Sequence, residues 1–391
     1  RQAEVVDLHQ HVFYHKLPKG QSSRKDLYEL VASLHTPMLD RSRPLWELHV
    51  IDGLADGRFA MYQKLHHACA DGVTMARWTA QGLSESADQM ALTPVWSLKL
   101  GGHGSQRTQA SQALLQSTWK RVLGNSRTVL GIGRLAAMLL LESVHLTKNA
   151  IALPFVSSAK TPLTGQVTSG RQFASASVSM ERVNKVRAST RSTLNHIALT
   201  CLDGALRRYL QDQGVELSRP ITIQMPVNLR KEGEKTAGNK IGIIQVELSA
   251  PTPDPYVRLR NIGYSLRNVR NMVDSVAPEA IASYTIITGL IAQLAELLQL
   301  SNQMPPMGNT LVSNVAGPKT HLYVKGARME EMQPISTLPP SNLLNITLFS
   351  YADDLFFGLI ATDELPELDK LAEYVACEFT ALEASVHEAH T

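Results

Sequence analysis

Lys64-Leu65-His66-His67-Ala68-Cys69-Ala70-Asp71-Gly72 sets two adjacent histidines at the end of an apolar strand, with an acid and a glycine following. Upstream, Phe59, Met61, Gln63, Leu65 and His67 fall on one strand face and Ala60, Tyr62, Lys64 and His66 on the other, so the two imidazoles point opposite ways. Downstream, 73–80 reads as a helix, which puts the pair at a strand-to-helix turn closed by Asp71 and Gly72. Asp71 is expected to brace that turn and Gly72 to supply backbone angles that other residues resist. An unperturbed imidazole titrates near about pH 6.5, so a neutral one can take a proton from a hydroxyl or thiol and return it to a leaving group. His67 shares its face with apolar side chains able to line a tunnel and is the expected base, while His66 is expected to be structural. Metal binding is the rival reading for His66, His67 and Cys69. Adjacent strand residues diverge, however, and no second Cys-x-x-Cys or His-x-x-x-His cluster completes a tetrahedral site, so no metal is expected.

The surrounding pattern is α/β. A helix is predicted over 24–34, and strands over 46–51 and 59–66 joined through Asp52-Gly53 and Asp56-Gly57. From 84 to about 127 the periodicity weakens and Gly, Ser and Gln accumulate, which predicts a surface linker or mobile loop. A helix over 128–150 and a Pro/Ser/Thr-rich stretch over 154–170 come before a strand at 173–178. Leu194, Ile197, Ala198, Cys201, Leu202, Ala205, Leu206, Tyr209 and Leu210 form one apolar helical stripe, with Asn195 suited to its N-terminus. Further strands are predicted at 221–225, 241–248, 310–315, 345–351 and 355–361, the last two as a hairpin, alternating with helices at 255–274, 278–300 and 368–387. Arg258, Arg260, Arg267 and Arg270 share a predicted helix; the pattern favours a solvated face over contact with coenzyme phosphates or an anionic membrane.

The 391 residues exceed the usual single-domain size, so two domains are the natural expectation. A 44% hydrophobic, 19% charged composition with a formal charge of +3 is that of an ordinary globular protein and makes no case for nucleic acid. Cys69, Cys201 and Cys377 are odd in number and far apart, which argues against a disulfide framework and for a reducing compartment. Cys69 lies inside the turn, and nothing calls for a covalent thiol intermediate. No apolar stretch reaches the roughly 20 residues of a spanning helix. The nearest approaches, 130–141 and 286–300, are expected to pack in the core, with contact to a lipid surface as the alternative.

His66-His67-Ala68-Cys69-Ala70-Asp71-Gly72 also matches the HHxxxDG motif of the acyltransferase superfamily that includes chloramphenicol acetyltransferase, plant BAHD enzymes and peptide-synthetase condensation domains. Four further segments appear in order along nearly the whole chain: Arg43-Pro44-Leu45-Trp46-Glu47, Met225-Pro226-Val227-Asn228-Leu229-Arg230, Gly238-Asn239-Lys240 and Ser313-Asn314-Val315-Ala316-Gly317-Pro318. With them the sequence resembles the bacterial wax ester synthase/diacylglycerol acyltransferase family.

The resemblance implies two chloramphenicol-acetyltransferase-like domains, each a mixed sheet covered by helices, with the active-site channel between them. Residues 1–127 would carry the motif, 128–170 a helical connection and linker, and 171–391 the second domain; a segment ahead of Arg1 is also implied. The implied activity is transfer of a long-chain acyl group from acyl-coenzyme A to a long-chain alcohol or diacylglycerol, in wax ester or triacylglycerol synthesis. His67 would be the base, supported by His66, Asp71 and Gly72. Asn195, Ser313 and Asn314 are candidates for the oxyanion, against plainer roles as a helix cap and at a strand end; Pro44-Leu45-Trp46 is expected to pack beneath the channel. Where the family commonly has Asn-Asp, this chain has Asn195-His196. No cofactor is implied, acyl-coenzyme A being a substrate. The implied location is the cytoplasm, with peripheral attachment at the inner membrane or lipid inclusions. The alternatives are a condensation-type enzyme with a carrier-bound donor and an inactive lipid-binding relative.

Overall fold

The computed structural model describes residues 6–20, 22–90, 158–229 and 241–388, with positions 93, 94, 97, 154 and 155. The helix expected at 128–150, the apolar run 130–141, the segment 238–240 and most of the linker expected at 84–127 lie outside the described residues.

A mixed three-stranded sheet in the order β1-β2-β3 comes first, built from Val12–Lys16, Trp46–Asp52 and Ala60–Leu65, with β1 parallel to β2 and β3 antiparallel to it. Helix α1 (Arg24–His35) covers it and starts in a capping box in which Ser23 and Asp26 serve each other's backbone. Gly53 and Gly57 take φ of +92° and +75° in the β2–β3 connection, as the Asp-Gly pairs foretell. Helix α2 (Gly72–Gly82) follows β3.

The second sheet has six strands in the order β4-β11-β10-β7-β5-β6. These are β4 (Arg171–Ser179), β5 (Thr222–Asn228), β6 (Ile241–Glu247), β7 (Thr310–Ala316), β10 (Leu344–Tyr351) and β11 (Asp354–Thr362). A short ribbon, β8 (Tyr323–Val324) with β9 (Ala327–Arg328), lies apart. Helices α3 (Met180–Thr190), α4 (Leu194–Asp212), α5 (Pro255–Ser275), α6 (Pro278–Leu297) and α7 (Leu368–Glu388) accompany the sheet. The main core lies here: Ile197, Leu202, Leu206 and Leu210 of α4 are fully buried with Leu359 of β11 and Leu371 and Val375 of α7. The two sheets meet where Tyr28 of α1 sets its ring edge-on against Phe173 of β4, centroids 4.9 Å apart.

Several expectations change. Strand β1, helix α3 and the β8–β9 ribbon are too short or too weakly periodic to stand out in the sequence. At the start of the expected linker, Ser84 is buried and exchanges two backbone hydrogen bonds with Tyr323, at 3.0 and 2.7 Å. In the Pro/Ser/Thr-rich stretch, Leu163 is fully buried. Arg258 leaves the solvated face expected of it: it is buried and bonds Glu378 at 2.6 Å, with Asp203 at 3.4 Å, while Arg260, Arg267 and Arg270 are exposed. Helix α6 overturns two expectations. By length and composition it is apolar enough to cross a membrane, and although Ile281 packs in the core, Ile286, Ile287, Leu290, Ile291, Leu294 and Leu297 face outward.

Candidate active site

The turn after β3 is held from both sides. His66 N–H donates to Leu45 O at 3.0 Å, and Cys69 N–H donates to His66 O at 2.8 Å. The amide of Ala68 donates to His66 Nδ1 at 3.2 Å, so this ring nitrogen is an acceptor without a proton. Trp46 supports the same corner, its ring stacked on His11 at 4.5 Å, and His11 Nδ1 donates to Trp46 O at 2.8 Å. The Pro44-Leu45-Trp46 segment therefore anchors the histidine turn and does not line the cavity.

Asp71 is buried and is the N-cap of α2: its Oδ1 accepts from Thr74 N–H at 2.9 Å, satisfying a first-turn donor with a negative charge at the positive end of the helix. Gly72 serves a different purpose from the one expected. Its φ is not positive; instead α2 lies so close to β7 that an added Cβ would stand 2.9 Å from Val315 Cγ2. The glycine permits contact between the histidine turn and the second sheet.

That contact closes one side of a cavity of about 1560 Å³. His67 is exposed to it, with Asp71 and Gly72 beside it. Its walls include Met61, Gln63 and Leu65 of β3 and Met75 and Thr79 of α2; its floor is the alternating face Leu311, Ser313 and Val315 of β7 with Thr347 and Phe349 of β10. Because β3 is an edge strand, the cavity also reaches Tyr62 and Lys64 on its other face. The space exceeds the roughly 300–1,000 Å³ of sites for drug-sized ligands and, with so apolar a lining, suits long hydrocarbon chains.

Of the secondary residues, Ser313 and Asn314 line this cavity and Asn195 does not. All three lie inside regular elements and not at caps or strand ends. Thr193 caps α4, in a capping box whose other half is His196. His196 thus completes a helix start. Asn195 is left to accept a hydrogen bond from Asn314 Nδ2, joining α4 to β7. Ser313 Oγ donates to Thr347 Oγ1 at 3.0 Å. Thr347 was missed by sequence reasoning, although Asn345 and Thr347 alternating with Phe349 on one face of β10 were a readable signal.

A second missed group lies beneath β3. His35 Nδ1 is 2.8 Å from the Tyr62 hydroxyl, and burial first, then Lys64 and Arg171, lower its pKa to about 4. His15 Nε2 and His49 Nδ1 are 3.0 Å apart, and burial lowers His49 as well, against Glu47. The Lys64 ammonium donates to Leu34 O at 2.8 Å and Pro37 O at 2.5 Å, closing the C-terminal end of α1. Cys69 is no activated thiol, since burial pushes its pKa up.

Residues 1–198 match the model of the wax ester synthase/diacylglycerol acyltransferase catalytic domain, and residues 237–383 match that of the family's C-terminal domain. The chain belongs to this family. It is an O-acyltransferase. A probable diacylglycerol O-acyltransferase of Mycobacterium tuberculosis is 32% identical over 386 residues, covering 97% of this chain and 82% of the relative. O-acyltransferase WSD of Acinetobacter baylyi is 30% identical over 390 residues, covering 98% and 82%. The solved wax ester synthase/diacylglycerol acyltransferase of Marinobacter aquaeolei VT8 superposes with a TM-score of 0.71 at 28% identity, covering 98% of this chain and 82% of that one. The first condensation domain of the calcium-dependent antibiotic synthetase, at 14% identity and a TM-score of 0.59, shares the two-domain fold alone.

Proposed function

We propose that this family member transfers a long-chain acyl group from acyl-coenzyme A to the hydroxyl of a long-chain alcohol or of diacylglycerol, with His67 as general base. The neutral imidazole takes the hydroxyl proton as the oxygen attacks the thioester carbonyl. The new C–O bond forms, the tetrahedral intermediate collapses, the C–S bond breaks, and the imidazolium returns its proton to the leaving thiolate. Transfer is direct and needs no acyl-enzyme.

The observation that carries this reading is the position of His67 on a large, mostly apolar cavity between the two sheets. Asn314 is the donor assigned to the oxyanion: one Nδ2 hydrogen is committed to Asn195, and that bond orients the amide while leaving the second hydrogen for the intermediate. Acceptors and products this insoluble call for a cytoplasmic enzyme attached peripherally to a membrane or lipid inclusion. Thiol release from palmitoyl-coenzyme A with hexadecanol or diacylglycerol tests the reading. Wild type is expected to release thiol and form ester, and His67→Ala to fold and do neither. Full turnover by His67→Ala defeats the assignment.

A further inference from the structure

Helix α6 is inside out for a helix on a water-soluble surface. The face it packs against the protein is anchored near its start by Ile281 and Tyr284 and beyond them carries small and hydroxyl residues, Thr288, Ala292 and Ala295. The opposite face presents Ile286, Ile287, Leu290, Ile291, Leu294 and Leu297, each between 41% and 76% exposed. At 100° per residue these six span an arc of about 140°. No charged residue occurs between Glu279 and Glu296 to interrupt it. So large a contiguous apolar patch marks a surface that meets something other than water.

Two features name the occupant. The first is continuity with the substrate cavity. Thr285 of α6 accepts from Ile243 N–H at 2.8 Å, and Thr285, Ile241 and Ile243 all line the cavity that holds His67. The second is charge. The chain leads into α6 from the last turns of α5, where exposed Arg267 and Arg270 form no ion pair among the described residues. On α5, the helix that precedes α6 in the chain, these two guanidinium groups supply cations of the kind that an anionic bilayer surface attracts.

We infer that α6 is a docking helix that lies in the surface of an anionic phospholipid bilayer and sets the cavity against the lipid phase, so that a lipid acceptor reaches His67 without crossing water. The inference rests on the acyl-transfer reading for its acceptor. The helix does not cross the bilayer, because its small-residue face is packed on the protein.

The test is flotation of the full chain with vesicles of phosphatidylcholine containing about a third phosphatidylglycerol, alongside thiol release from palmitoyl-coenzyme A with hexanol in solution or diacylglycerol in the same vesicles. Wild type is expected to float. Leu290→Glu/Leu294→Glu, and the milder Leu290→Gln as a check on folding, are expected to weaken vesicle binding by about tenfold and about threefold. Turnover of hexanol stays unchanged, while turnover of vesicle-borne diacylglycerol falls with binding. A double variant that still floats like wild type overturns the inference. So does one that leaves vesicle binding intact while a dimer dissociates on gel filtration, which would assign the face to a second copy. Flotation is read without turnover, so a wild type that floats yet releases no thiol defeats the acyl-transfer reading and upholds the docking face.

Discussion

Strands β10 and β11 bury all but two of their residues, whereas the three strands of the first sheet leave most positions partly or fully exposed. The first sheet has a small core of its own, Leu17, Val31, Ile51 and Tyr62, and shares its interior with histidines. Buried area sets stability, so the second sheet is the frame and the first is a thin wall held against it. The proposed general base stands on the thin wall, and the cavity floor and the proposed donor Asn314 stand on the frame. Chemistry and stability are thus divided between the sheets and separable by mutation.

The largest expected effect is on the wall. His67→Ala should lower kcat by about 10³–10⁴, the upper range for losing a positioned base, with an unchanged melting temperature. A comparable fall in melting temperature would show that His67 belongs to the core after all. The frame should behave in the opposite way. Phe357 is 1% exposed, and Phe357→Ala should cost about 3–5 kcal/mol in urea unfolding while the folded fraction keeps its turnover. Val31→Ala in α1, beneath the first sheet, should cost distinctly less; an equal loss would break the comparison. Asn314→Ala removes a donor on the frame, and thiol release should slow by about a hundredfold with little change in the KM of either substrate.

The pH dependence of stability should come from the wall. With a folded pKa near 4 against an ordinary 6.5, His35 is protonated in the unfolded chain well before the folded one. Its contribution is intact above about pH 6.5 and is lost as pH falls toward 4, which amounts to about 2 kcal/mol at pH 5. Burial lowers His49 too, and the loss it adds runs in the same direction. Urea unfolding at pH 7 and pH 5 measures the difference, and His35→Gln should shrink it; an unchanged difference in that variant would remove His35 from the account. The smallest effect is expected at the seam. Gly72→Ala forces α2 away from Val315 and should cost about 1–3 kcal/mol together with some activity, both recovered in the double variant with Val315→Ala.

Much of the fold was legible along the chain. The apolar stripe from Leu194 to Leu210 lies within α4, and the strands of the second sheet fall within a residue or three of their expected bounds. The histidine turn stands between β3 and α2, where its residues place it. What misled was always the partner of a face. Arg258 resembles Arg260, Arg267 and Arg270 in sequence, and only the approach of Asp203 and Glu378 from other helices separates it from them. Asn195 looks like a cap until Thr193 takes that position and β7 brings up Asn314.

By itself the sequence determined where the strands, helices and the His66-His67 turn would form, because periodicity, caps and Asp-Gly turns are settled among residues within about ten positions of one another. Only the tertiary structure decided that Gly72 is needed for close approach, that Ser313 and Thr347 line one cavity with His67, and that α6 turns Ile286, Ile287, Leu290, Ile291, Leu294 and Leu297 outward. Those outcomes depend on which surface arrives from far along the chain to cover a given face, and local pattern holds no information about that.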